Sequence, residues 1–94
     1  MEDYKIPIDT FVQETFECMA SVCAILTGAA LSFQDTNLRT RRDKSDLHII
    51  AGSTWLSIPL ASILSIERQT FPDIHTIEYE ISTKDGSSIT VDAF

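Results

Sequence analysis

Between Ile77 and Ala93 the chain alternates apolar and polar residues in two arms, and the faces of those arms must agree. Ile77, Tyr79 and Ile81 alternate with Glu78 and Glu80; Ile89, Val91 and Ala93 alternate with Thr90 and Asp92. Side chains on a strand point to opposite faces with a period of two, so each arm has one wet face. A two-residue Asp85-Gly86 loop would set Ile81 opposite Thr90 and place apolar residues against polar ones along the ladder. A three-residue loop, Lys84-Asp85-Gly86 with Gly86 in the left-handed region, instead pairs Ile81 with Ile89, Tyr79 with Val91 and Ile77 with Ala93. That register also sets Glu78 opposite Asp92 on the outer face, a mildly unfavourable pair.

Upstream, short apolar segments broken by polar turns point to further strands. Ala30 to Phe33 reads as the first, Gln34 to Asn37 as a turn, Leu38 to Arg42 as the second, and Asp43 to Asp46 as another turn. Leu47 to Ala51 is a third, apolar except for His48. Trp55 to Ile58 follows a Gly-Ser-Thr turn, Pro59 interrupts pairing, Ile63 to Arg68 resumes as a strand, and Thr70 to Asp73 is a loop. The stretch Thr10 to Thr27 reads differently. Placed 100° apart, Phe11, Val12, Phe16, Met19, Val22, Cys23 and Leu26 fall within an arc of about 140°, which predicts an amphipathic helix. Thr10 with Gln13 fits a capping box, Asp9 is an alternative N-cap, and Gly28 supplies a left-handed stop.

At 94 residues the chain closes one core, so residues 1–94 are expected to form a single domain. Fourteen acids against seven bases give a net charge of −7, which disfavours direct binding to nucleic acid. The start, Met-Glu-Asp-Tyr-Lys, has no basic, apolar secretion signal. The uncharged run Cys18 to Gln34 holds too many polar residues for a membrane span, so no transmembrane segment and a cytoplasmic location are expected. Cys18 and Cys23 match neither a CxxC pair nor a zinc knuckle and read as buried free thiols.

Four of the seven bases, Arg39, Arg41, Arg42 and Lys44, lie within six residues. Asp43 and Asp46 bring residues 39–46 to +2, so the remainder carries −9 against the total of −7. On a strand Arg39 and Arg41 share one face, Thr40 and Arg42 take the other, and a turn carries Lys44. The segment is a candidate docking patch for an acidic partner, a phosphate or a lipid headgroup; as a purely structural feature it is a solvated edge guarded by charge. Asp46-Leu47-His48 and Asp73-Ile74-His75 each place a carboxylate two residues before an imidazole. Were the two segments neighbours, the four groups would approach a zinc-type arrangement; separately, they are ordinary turn and strand residues, and no metal or other cofactor is expected. There is no Gly-rich phosphate loop, HExxH, GxSxG or CxxC, and Ser53, Ser57, Ser62 and Ser65 have no His or acid at a fixed spacing, so no catalytic residue is assigned. Glu78, Glu80, Asp85 and Asp92 are explained by a wet sheet face. Trp55, Ile49, Ile50, Leu56, Ile58, Leu60, Ile63, Leu64 and Ile66 read as core.

The run Leu-Thr-Gly-Ala-Ala-Leu-Ser-Phe, then Leu38 to Arg42, then Trp-Leu-Ser-Ile-Pro-Leu-Ala-Ser-Ile-Leu-Ser-Ile-Glu, then Ser-Thr-Lys-Asp-Gly-Ser, resembles small prokaryotic pleckstrin-homology or GRAM-like domains over residues 26–94. That family closes its barrel with a C-terminal helix, whereas the helix expected here comes first. A helix capping from the other end and a different small barrel such as an Sm-like fold are the alternatives. The resemblance implies binding and scaffolding rather than catalysis.

The expectation is an α+β domain: an N-terminal amphipathic helix, about 10–27, packed on a bent antiparallel sheet or partly open small β-barrel of five to six strands within residues 29–94. Its expected function is non-catalytic protein interaction or scaffolding through an exposed sheet edge, with Ser88 to Phe94 as candidate edge strand and Arg39, Arg41, Arg42 and Lys44 setting charge preference. The partner is a protein, or a second copy in a homodimer. Alternatives are a small acidic inhibitor mimicking nucleic acid, and a small metal-dependent enzyme or enzyme subunit using the Asp/His pairs.

Overall fold

The fold, a computed structural model described for residues 4–94, is one antiparallel sheet of eight strands with a single short α-helix among the described residues. The opening Met1-Glu2-Asp3, read above for a secretion signal, lies outside the described residues. In chain order the elements are β1 (Tyr4–Lys5), α1 (Ile8–Thr15), β2 (Glu17–Leu26), β3 (Ala29–Arg42), β4 (Asp46–Ala51), β5 (Thr54–Pro59), β6 (Ile63–Phe71), β7 (Thr76–Thr83) and β8 (Ser88–Ala93). The sheet order is β1-β6-β7-β8-β2-β3-β4-β5.

The expected α+β fold is therefore corrected. Residues 17–26 are not the second half of a helix but a central strand, paired with β3 on one side and β8 on the other. The cause lies in its faces. Ala20, Val22 and Ala24 are buried, yet the outward Met19, Cys23 and Ile25 are apolar too. With no polar alternation, the segment matches a helical arc about as well as a strand. The helix starts at Ile8 behind Pro7, without a side-chain cap, so neither Thr10 nor Asp9 caps it. Gly28 does adopt a positive φ of 79°, but in the turn that joins β2 to β3, where Leu26 faces Ala29.

The two expected strands Ala30–Phe33 and Leu38–Arg42 are one long strand. Between the pairs Ala20↔Thr36 and Val22↔Phe33, Gln34 and Asp35 together oppose Ser21. This is a β-bulge, and its Asp35, at φ 48°, donates its backbone N–H to Ser21 Oγ at 3.2 Å. The polar run was a turn signal by composition; an Asp that tolerates left-handed backbone serves a bulge equally well. In β6 the register shifts between Ile63 and Ser65, and Leu64, expected in the core, is 62 % exposed there. At the last hairpin the register is the one derived above: Ile81↔Ile89, Tyr79↔Val91, Ile77↔Ala93 and Glu78↔Asp92, with Gly86 at φ 89°.

The connection from β5 to β6 determines the overall shape. These strands stand eighth and second in the sheet, about 29 Å apart if the sheet were flat. The 3-10 turn Leu60–Ser62 joins them, and such a connector spans at most roughly 14 Å. The sheet must curl until its two ends approach. Inside the curl lie Val22, Leu38, Leu47, Ile49, Ile58, Ile66, Tyr79, Ile81, Ile89 and Val91. Helix α1 bridges the concave side. Phe11 is fully buried and meets the Tyr79 ring edge-on, centroids 5.3 Å apart, while Thr15 Oγ1 donates to the Phe11 carbonyl at 2.7 Å and bonds Thr40 Oγ1 on β3 at 2.8 Å. Tyr79 donates its hydroxyl to Glu14 Oε1 at 2.7 Å, and Arg68 pairs with the other oxygen of Glu14. Burial, then the Glu14 carboxylate, pushes the Tyr79 phenol above its ordinary value.

Candidate functional site

Because the concave face is filled, chemistry has to reside on the convex face and at the free edges. Strand β8 is no edge, contrary to expectation: β7 and β2 flank it. The sheet ends instead at β1, two residues long, and at β5, whose outer side pairs with no strand among the described residues.

Alternation on β3 places the basic residues as the sequence implied. Arg39 and Arg41 project from the convex face, opposite Ile50 and His48 of β4, which in turn face Trp55 and Ser57 of β5. Arg42 takes the other face and reaches the helix, its Nη1 3.3 Å from Asp9 Oδ1. Lys44 sits exposed in the β3–β4 turn. Only Arg39 and Arg41 thus share a surface, and neither pairs with a carboxylate among the described residues.

Trp55 lies on that same surface, not in the core where its composition placed it. It is 53 % exposed, because Leu56 and Ile58 take the inward positions of β5 and leave Trp55 and Ser57 outside. The Arg41 guanidinium lies over the indole, 4.9 Å from its centroid, a cation–π contact. His48 meets the indole edge-on at 5.6 Å and accepts the Trp55 Nε1–H at Nδ1, 3.1 Å away. Indole nitrogen only donates, so Nδ1 must be the bare nitrogen and Nε2 carries the hydrogen. Nε2–H then donates to Asp43 Oδ2 at 2.9 Å, and Ser57 Oγ, 2.9 Å from Nδ1, donates to the same lone pair. The His48 hydrogen bond, followed by the backbone N–H groups of Ser45 and Asp46, holds the Asp43 carboxyl well below the usual carboxylate range. Exposed Phe16 and Glu17, half-buried Ile50 and buried Thr40 complete a shallow depression of about 360 Å³ with Arg39, Arg41 and Trp55.

The order Ser57, His48, Asp43 is that of a nucleophile, base and orienting acid. A base, however, needs a free lone pair, and Trp55 already donates to the one Ser57 would use. The chain of bonds therefore serves as a brace for the indole. Sequence spacing gave no hint of it, since the β3–β4 turn and the β4–β5 hairpin bring residues 43, 48, 55 and 57 together.

A second, oppositely charged surface lies across the sheet. Glu67↔Glu80 and Glu78↔Asp92 line up on the convex side of β6 to β8, and Asp85 stands in the adjoining hairpin loop. Burial, then the Asp92 carboxylate and Glu80, raises the Glu78 pKa. The two Asp/His echoes do not meet: Asp46 and His48 cluster with Asp43, whereas Asp73 and His75 lie on the 3-10 turn Pro72–Ile74 and its left-handed end. Of the two free thiols Cys18 is half-buried, but Cys23 is exposed, a correction that follows from its outward position on β2. No helix among the described residues is long and apolar enough to cross a membrane. Compared with known proteins, the chain finds no match to a family model, a curated protein or a solved structure.

Proposed function

We propose that this chain is a non-catalytic protein-interaction domain that takes an extended acidic segment of a partner protein along the free edge of β5, against Trp55, Arg41 and Arg39. The observation that carries the reading is Trp55: a half-exposed indole, stacked under the Arg41 guanidinium and fixed by His48, beside a strand edge that, like Arg41, has no pairing partner among the described residues. Exposed aromatics and arginines that are already held in one conformation lose little entropy on binding and dominate binding energy in interfaces. An unpaired edge offers a ladder to an added strand. Charge sets the preference, because Arg39 and Arg41 form a local positive surface on a chain of net charge −7. The pleckstrin-homology or GRAM-like resemblance, which implies binding rather than catalysis, agrees with this reading.

Fluorescence anisotropy with a labelled, Glu/Asp-rich extended peptide tests it. The expected result is saturable binding that weakens with salt, and a loss of about tenfold or more for Arg41→Glu and for Trp55→Ala. Failure of the acidic peptide to bind, or binding that Arg41→Glu leaves unchanged, overturns the proposal. The acidic surface of β6 to β8 favours a second reading, an inhibitor that presents Glu78, Glu80, Asp85 and Asp92 to a basic protein in place of nucleic acid. That reading calls for capture of a basic partner in competition with DNA or RNA.

A further inference from the structure

We infer that Asp43, Asp46 and His48 form a site for a divalent cation of the zinc class, and that filling it releases the Trp55 indole from His48. One ligand atom from each of these three residues lies within 4.8 Å of the others. Ligands held about 2.0–2.2 Å from zinc stand roughly 3.4 Å apart in a tetrahedron, so small side-chain rotations suffice. Ser45 already draws the two carboxylates together, its Oγ 3.1 Å from Asp43 Oδ1 and 2.9 Å from Asp46 Oδ2. Arg42, the adjacent guanidinium, pairs through Nη1 with Asp9 and donates from Nε to the Asp43 backbone carbonyl at 3.3 Å, not to either carboxylate of the cluster. The imidazole separates this cluster from an ordinary acidic turn. One nitrogen with two carboxylates suits zinc and its transition-metal neighbours, whereas magnesium and calcium take oxygen ligands. The fourth position would face solvent.

The consequence for Trp55 follows from proton placement. His48 now carries its hydrogen on Nε2, the nitrogen that faces Asp43. A cation bound at Nε2 displaces that proton to solvent, and the neutral ring takes one up at Nδ1, with no net change. Nδ1–H then has Ser57 Oγ as its acceptor, 2.9 Å away, the outer contact that orients a metal-bound imidazole. It can no longer accept the Trp55 N–H, and two donors face each other. The indole must turn. Trp55 is the single tryptophan of the chain, so its emission reports on the site.

The test is a titration of the full chain with zinc chloride in metal-free buffer, counting bound ion by equilibrium dialysis while following Trp55 emission. The expected result is one ion per chain, with an emission change that saturates at the same stoichiometry. Asp46→Asn and His48→Gln should each weaken binding by at least about tenfold, and His75→Gln should not. Far-UV circular dichroism checks that the variants fold. Asp46, whose carboxylate bonds Ser45 rather than His48, decides the matter if His48→Gln does not fold. Absence of binding, binding indifferent to Asp46→Asn, or saturation without any change in Trp55 emission overturns the inference. None of these outcomes bears on the acidic-peptide test, which uses metal-free protein.

Discussion

Glu78 and Asp92 face each other on neighbouring strands of the convex surface, and burial, then the Asp92 carboxylate, raises the Glu78 pKa. For an acid a raised folded pKa means that the folded state holds the proton more tightly. Its ionised form is therefore a liability, absent below the unfolded Glu value of about 4.3 and fully present above the raised folded one. Glu78→Gln should stabilise the chain at pH 7 by about 0.5 kcal/mol, the scale of a like-charge cross-strand pair. That corresponds to a rise of roughly 2–4 °C in thermal midpoint, shrinking as pH falls toward 4. Melts of both proteins across that range check it. This pair was legible in the sequence because alternation and loop length together fixed one register. Trp55 was not, because a lone large aromatic among isoleucines carries no mark of its face; only the inward claim of Leu56 and Ile58 decides it.

At the level of elements, the last hairpin was read correctly, whereas the expected turn Gln34 to Asn37 lies within β3 and the expected loop Thr70 to Asp73 begins inside β6. Gly86 was expected in the left-handed region and stands there at φ 89°, with open space where a Cβ would sit. A side chain at this position therefore costs backbone conformation alone. Gly86→Ala should lose about 1–2 kcal/mol, and Gly86→Asn less, since Asn visits that region more readily. Urea denaturation with unchanged slope would show the effect to be one of stability. β2 escaped because the evidence for it is tertiary. Its outward Met19, Cys23 and Ile25 remove the alternation, and residues 43–87, nearly half of the chain, separate its partners β3 and β8 from each other. The bulge at Gln34–Asp35 escaped for a related reason: Asp and Asn serve turns and bulges alike.

Taken whole, the molecule is a curled sheet whose convex side has two charged ends, acidic on β6 to β8 and basic-aromatic on β3 to β5. The net charge of −7 masks this division, although the basic cluster at residues 39–46 had already marked one end. What sequence could not supply was the pairing that sets Arg41, His48, Trp55 and Ser57 side by side, which depends on two hairpins and their registers. In the function proposed above, a partner binds at the β5 edge and the Trp55 face. The decisive measurement is nuclear magnetic resonance of the isotopically labelled chain, titrated with a Glu/Asp-rich extended peptide. Binding there shifts amides and slows hydrogen exchange along β5 and the convex face of β3 and β4, and shifts the Trp55 indole N–H. Perturbations that map instead to β6 to β8, or a spectrum the peptide leaves unchanged, would contradict it.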